Sequence, residues 1–214
     1  GTMVIVGNGT IRGTLSGKIL HAERALNTSG SLTIAGEAPA FRERHNTAGL
    51  AKAVAISGRY AYVADGTGGL LIIDISQTGS TKLISIYNTT GRGWNVAISG
   101  RYAYVADGPS GLQIIDISNP ASPNLLGTYN TSGDAKSVSI AGRYAYVANW
   151  TSDSISVVDI SNPSAPTQIA TTTVGDSPYS IYVSGRYAYV ANANNSNISI
   201  VDIANSSSPS QIIT

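Results

Sequence analysis

Trp94 and Trp150 are the two tryptophans of this 214-residue chain, and both stand among charged or amide side chains. Trp94 closes the run GRGW (91–94) and Trp150 opens NWTSDS beside Asn149. With Arg92, Asp134, Lys136, Asp176 and Tyr179 they form a candidate ligand-binding set, rimmed by Asp65, Asp107, Asn149 and Asn192. An aromatic face suits the C–H surface of a sugar ring, and carboxylates and amides suit its hydroxyls. The same residue types suit a protein partner, because Trp, Tyr and Arg dominate interface anchors. Ordinary variable loops, with Trp94 plugging a central channel, would account for these residues as well.

Catalytic chemistry finds less support. His21 and His45 are the only histidines. Both precede the repeated part of the chain, so no Ser-His-Asp or Cys-His arrangement can be assembled there, and no catalytic residue is expected. A histidine-based metal site is not expected either. The Asp-Gly loops lack the alternating carboxylates of a calcium loop. Neither a metal nor a cofactor is therefore expected. The one enzymatic alternative is a hydrolase in which Asp134 and Asp176 approach each other across a channel.

Composition narrows the partners. Net charge is +1 and 12% of residues are charged, with no basic stripe, so nucleic acid is not an expected partner. Cysteine is absent, which removes disulfides and thiolate metal sites. No apolar run is long enough to span a bilayer. The opening Gly1-Thr2-Met3 is compatible with a leader that has been removed. Ser, Thr, Asn and Gly supply most of the polar surface, a composition poor for helices and good for strands and turns.

The elements that must carry these side chains are written four times. ISGRYAYVADG, ISGRYAYVADG, IAGRYAYVANW and VSGRYAYVANA place Gly58, Gly100, Gly142 and Gly185 at spacings of 42, 42 and 43. A period near 40–45 with several strands per unit predicts a β-propeller. In the second copy the strands are predicted at 95–98, 102–106, 112–117 and 124–129, with Gly and Pro at every joint. The fold expected is all-β: four recognisable four-stranded blades, with a short N-terminal β segment.

The third strands read LLIIDIS (70–76), LQIIDIS (112–118), ISVVDIS (155–161) and ISIVDIA (198–204). Together with the RYAYVA strand and the SNPASP-type loop, they resemble the LVIVD repeat family over residues 40–214. The resemblance implies a β-propeller and an origin among bacterial and archaeal surface or secreted proteins. It carries no catalytic motif.

Residues identical in every copy are read as scaffold. Arg59, Arg101, Arg143 and Arg186 begin the second strands, and Asp74, Asp116, Asp159 and Asp202 end the third. The expectation is an Arg–Asp contact within each blade, or Asp bonded to the amides of the following turn, with a ring of four carboxylates around a cation as the rival. The tyrosines of RYAYVA alternate with Ala and Val, so they are expected to pack between blades rather than stack on carbohydrate. Variation is concentrated elsewhere. The second-to-third loops read DGTGG, DGPSG, NWTSDS and NANNSN, and the inter-blade links GLAK, GRGW, GDAK and GDSPY. In a propeller both sets lie on one face, and loops on a rigid scaffold are where binding residues tend to sit.

Residues 1–38 are a different text, alternating apolar and polar residues with Gly at each joint. They resemble the shaft segments of trimeric fibre proteins, which implies a homo-oligomer, trimer or filament, assembled through this segment; residues 21–26 could instead form a helical turn. Pro39–Thr47 aligns with Pro123–Thr131, a fourth strand. That leaves a four-bladed ring closed by 39–46, a fifth divergent blade built from N-terminal strands, or a slice of a longer array. Sequons at Asn8, Asn27, Asn88, Asn130, Asn149, Asn194, Asn197 and Asn205 are compatible with surface glycosylation. The domains expected are thus 1–38, a stalk, and 39–214, the propeller. The function expected is a non-enzymatic binding or adhesion module, extracellular or at the cell surface, for a glycan or protein ligand. A structural filament subunit and a hydrolase with channel carboxylates are the alternatives.

Overall fold

The computed structural model describes residues 45–77 and 80–213. Among the described residues, sixteen strands form four antiparallel sheets, each a simple meander of four. The first blade is β1 (Ala53–Ser57), β2 (Tyr60–Ala64), β3 (Leu70–Asp74) and β4 (Lys82–Tyr87). The second is β5 (Asn95–Ser99), β6 (Tyr102–Ala106), β7 (Leu112–Asp116) and β8 (Asn124–Tyr129). The third is β9 (Ala135–Ala141), β10 (Tyr144–Asn149), β11 (Ser154–Asp159) and β12 (Thr167–Thr173). The fourth is β13 (Pro178–Ser184), β14 (Tyr187–Asn192), β15 (Asn197–Asp202) and β16 (Ser210–Ile213). The strands read from the sequence of the second copy coincide with these to within one residue.

Local chemistry explains the repetition. The first two strands of each blade are joined by a two-residue hairpin whose first residue is glycine. Gly58, Gly100, Gly142 and Gly185 have φ between 57 and 59°, a left-handed backbone that a side chain would strain. A register shift recurs at the same place on every third strand, after Ile72, Ile114, Val157 and Ile200. Such bulges bend a strand and add twist, which suits a blade coiling outward.

Tyrosine packs blade on blade, as expected. Tyr62, Ala64, Leu70 and Ile72 of the first blade bury against Val96, Val105, Ile115 and Ile117 of the second. Tyr104, Leu112 and Ile114 meet Val138, Val147, Val158 and Ile160 across the next seam. Tyr146, Ile155 and Val157 meet Ile181, Val190, Val201 and Ile203 across the third. Each large aliphatic side chain buried this way stabilises by about 1.5–3 kcal/mol. Polar bonds set the register of the seams: the Val138 amide donates to Asn95 Oδ1 at 3.2 Å, and the Ile181 amide to Ser137 Oγ at 3.2 Å.

The repeated Arg and Asp realise both scaffold readings at once. Arg59, Arg101, Arg143 and Arg186 pair with Asp74, Asp116, Asp159 and Asp202 of the same blade. The other oxygen of each carboxylate accepts a turn amide, from Ser76, Ser118, Ser161 or Ala204, at 2.8–2.9 Å. Each Arg also covers the ring of the tyrosine that follows it, at 5.2–5.5 Å. The stalk, the fifth-blade alternative and the fourth-type strand at 39–46 concern residues that fall outside, or almost wholly outside, the described ones. Among the described residues, no helix is long and apolar enough to cross a membrane.

Candidate functional site

One repeat position builds the centre of the variable face. The residue just before the Ala53, Asn95, Ser137 and Ser180 register is Lys52, Trp94, Lys136 or Tyr179. In the first two blades its amide donates to the second strand, from Lys52 to Ala64 and from Trp94 to Ala106, both at 2.8 Å. In the last two blades the ladder shifts there, so Lys136 and Tyr179 sit in bulges. A bulge re-aims a side chain, and these two are aimed at Trp94.

The result is an alternating stack of cations and rings. Lys136 Nζ lies 3.4 Å from the Trp94 ring centre and 5.7 Å from that of Trp150. Lys52 Nζ lies 4.8 Å from Trp94. Tyr179 meets Trp94 edge to face at 6.2 Å and Trp150 at 5.7 Å, so both tryptophans converge on one side of the molecule. Lys136 is buried, and Asp134 Oδ2 pairs with its ammonium at 2.9 Å. A cation that close to a ring gains from the ring quadrupole, more so when desolvated.

Beside this stack lies a cleft of about 600 Å³ lined by Arg92, Trp94, Pro109, Asn130, Asp134, Lys136 and Thr151, among others. Four of the seven residues picked from sequence line it: Arg92, Trp94, Asp134 and Lys136. Tyr179 packs on Trp94, and Trp150 packs on Tyr179 and Lys136. Asp176 stands apart; it is exposed and accepts from the Ser177 hydroxyl at 3.0 Å. It does not line the cleft, so the cleft brings no second carboxylate from that position to Asp134. Lys52 was missed, although its repeat position was the signal. His45 lies before the first blade and bonds the Thr81 hydroxyl.

The four residues read as a rim are not surface groups. Asp65, Asp107, Asn149 and Asn192 are buried and anchor the links from within. The Gly49 amide donates to Asp65 at 2.8 Å and the Gly91 amide to Asp107 at 2.7 Å. Burial pushes the Asp107 carboxyl up, against the opposing pull of Gly91 and Gln113. A methyl on Gly91 would sit 2.1 Å from the Asp107 carbonyl oxygen, so only glycine fits there. Where Asp becomes Asn, its partner becomes serine: Asn149 donates to Ser156 at 2.9 Å and Asn192 to Ser199 at 2.8 Å.

Two further features mark this face. Ser132, Asp153, Ser177 and Ser196 adopt φ between 47 and 59°, on links and loops of this face alone. Asp153 and Ser196 keep the left-handed turn that Gly69 and Gly111 make before the third strand of the first two blades, so only Ser132 and Ser177 are particular to their links. Two buried polar atoms at the cleft, Trp94 Nε1 and Asp134 Oδ1, have no hydrogen-bond partner among the described residues. Both converge on Gly108, where a methyl group would lie 2.9 Å from Asp134 Oδ1 and 3.4 Å from Trp94 Nε1. Unpartnered Oδ1 atoms at Asp65, Asp107, Asn149 and Asn192 recur in all four blades and belong to the scaffold; the Trp94–Asp134 pair occurs once.

The architecture defines a β-propeller class of protein, with its asymmetric chemistry confined to one face. The chain belongs to the LVIVD repeat family, whose repeat matches residues 48–89, 90–131, 132–173 and 177–213. No curated protein matches the sequence. Solved structures share the fold at low identity. The computationally designed Ika4 protein is 11% identical with a TM-score of 0.59, covering 74% of this chain and 92% of its own. The designed Ika8 protein is 10% identical with a TM-score of 0.58, covering 78% and 49%. The periplasmic gluconolactonase of Pseudomonas aeruginosa is 18% identical with a TM-score of 0.64, covering 76% and 53%. The chain thus spans about half the length of the last two.

Proposed function

We propose that this propeller is a non-enzymatic carbohydrate-binding module, extracellular or at the cell surface, with its site at the Trp94 cleft. The observation that carries the reading is the single donor–acceptor pair at Gly108. A sugar hydroxyl placed there accepts from the indole N–H and donates to Asp134. Both atoms are buried beside the cleft that Arg92 helps to line. The cleft volume falls in the usual range for small-ligand sites, and an aromatic wall with a few convergent polar groups is what such sites contain. A hydrogen bond to a charged group contributes about 1.5–3 kcal/mol, or roughly ten- to hundredfold in affinity. The periplasmic location named for the gluconolactonase fits a chain exported from the cytoplasm. Residues 1–38 would present the propeller on an oligomeric stalk.

A glycan array with the wild-type chain and with Trp94→Ala and Asp134→Asn tests this. Binding lost tenfold or more in both variants supports the site; binding unchanged in both, or a protein as the sole ligand, refutes it. The gluconolactonase neighbour favours a second reading, hydrolysis of a sugar lactone at the same cleft. That reading requires acid release from gluconolactone, abolished by Asp134→Asn.

A further inference from the structure

The links that reach the variable face share one spelling up to a point. A glycine opens each, at 49, 91, 133 and 175, and the residue after it is Leu50, Arg92, Asp134 or Asp176. Arg92 is the one cation at that position. The backbone sets where it goes. Gly93 bridges Gly66, and Ala135 bridges Gly108, as isolated antiparallel pairs. On extended chain the residues on either side of such a bridge, two apart, project to the same side. Arg92 therefore stands beside Trp94 as Asp134 stands beside Lys136, and all four line the cleft. Their charges do not balance. Asp134 Oδ2 is taken by Lys136 at 2.9 Å. The acid before Gly108, Asp107, turns inward: its Oδ2 accepts from the Gly91 amide at 2.7 Å and from Gln113 Nε2 at 2.6 Å. Among the described residues, no carboxylate forms an ion pair with Arg92 or with Lys52. The cleft wall thus carries an exposed, uncompensated guanidinium, and Lys52 Nζ adds a second unpaired charge 4.8 Å from the Trp94 ring.

We propose that the sugar taken by this cleft is acidic, carrying a carboxylate or a sulfate ester that Arg92 holds. The inference rests on the carbohydrate reading above and narrows its ligand class. A guanidinium presents a planar fork of donors that fits two oxygens of one anionic group, and no described carboxylate engages this fork. The two recognition points lie close together. The methyl position on Gly108 that meets Trp94 Nε1 and Asp134 Oδ1 is also 3.5 Å from the Arg92 carbonyl oxygen. One ring can therefore place a hydroxyl at Gly108 and its anionic group at Arg92. The Lys136 pair has a role in this arrangement: it neutralises Asp134, which otherwise would repel the anion, and leaves Oδ1 to accept the hydroxyl. A neutral sugar gains nothing from the guanidinium, and an amino sugar is repelled by it. An uncompensated cation in a walled cleft also concentrates anions from solution.

Calorimetric titration of the full chain with matched trisaccharides reads the outcome. Trisaccharides of glucose, galactose and mannose are each offered in the neutral form, as the uronate, and with a sulfate ester on the primary hydroxyl. At least one acidic form is expected to bind about tenfold or more tightly than its neutral parent, and the arm that wins tells carboxylate from sulfate. Arg92→Gln should bring that ratio close to one. Arg92→Lys keeps the charge but loses the fork, so its ratio should fall between. Trp94→Ala should weaken acidic and neutral forms together. Because Arg92 is exposed, both of its variants should keep the circular dichroism and urea midpoint of the wild type. Neutral forms bound as tightly as acidic ones, and lost in Trp94→Ala, overturn the acidic ligand and leave the carbohydrate reading standing. A preference for the acid that survives Arg92→Gln, or that keeps its full affinity in Trp94→Ala, places the anion elsewhere and overturns the proposal. Binding to none of the forms overturns it together with the reading it rests on.

Discussion

Removing the carboxylate of Asp134 should destabilise the fold more than removing the ammonium it pairs with. Lys136 is buried, and its Nζ has Asp134 Oδ2 at 2.9 Å and the Trp94 ring at 3.4 Å. Breaking a fully buried ion pair by deleting one partner costs about 3–5 kcal/mol, because the other charge is left unpaired. Asp134 retains partial solvent access, which lowers the figure, and the Trp94 ring compensates the ammonium by about 1 kcal/mol. Asp134→Ala is therefore expected to cost about 2 kcal/mol. Lys136→Met keeps the packing on Trp94 and leaves Asp134 reachable by water, so it should cost about 1 kcal/mol. In the double variant no buried charge remains, and the cost should stay near that of Lys136→Met. The cycle then yields a coupling of roughly 2 kcal/mol. Urea unfolding followed by tryptophan fluorescence is the assay, since both indoles report from this cluster. If Asp134→Ala costs as much in the Lys136→Met background as in the wild type, the buried-pair reasoning is wrong.

Three other outcomes follow from the same structure. Tyr104→Ala removes a buried ring from the seam between the second and third blades and should cost about 3–5 kcal/mol in urea unfolding. Gly91→Ala, whose methyl meets the Asp107 carbonyl oxygen at 2.1 Å, should lower the urea midpoint more than Gly100→Ala, which has open space and loses only about 1 kcal/mol to left-handed strain. Acid should act through the four repeated carboxylates. The Arg143 guanidinium and the Ser161 amide hold Asp159 down at about 2, and the Ser76 hydroxyl and amide, with Arg59, hold Asp74 at about 2. Asp116 and Asp202 are lowered as well, each chiefly by its arginine. Since an unfolded aspartate titrates near 3.9, their contribution is complete above about pH 5 and is lost as pH falls toward 2. Unfolding midpoints across that range should decline, and Arg143→Gln should flatten the decline.

The blades were legible because glycine and proline punctuate them and because the unit is written four times. Gly58, Gly100, Gly142 and Gly185 mark hairpins that only a left-handed residue makes easily, so strand edges followed to within one residue. The site was legible in part. Arg92, Trp94, Asp134 and Lys136 were found from divergence between copies, which is what an asymmetric ligand site demands. Asp65, Asp107, Asn149 and Asn192 misled for a physical reason: they lie in variable loops, yet their side chains turn inward to bond the links. The clue was pairing at a distance, Gln113 with Asp107 and Ser156 with Asn149. Asp176 misled because its link joins the third and fourth blades, one seam away from the cleft.

A four-fold scaffold cannot by itself bind an asymmetric ligand, because a residue repeated in every blade is presented at every blade. The chain breaks that equivalence at one register, where Lys52, Trp94, Lys136 and Tyr179 alternate cation with ring. Two lysines facing each other there would repel, and two tryptophans side by side would fill the centre; alternation lets Trp94 separate the ammonium groups and tilts the opening toward Asp134. The cleft consequently lies at the seam between the second and third blades and occurs once per chain.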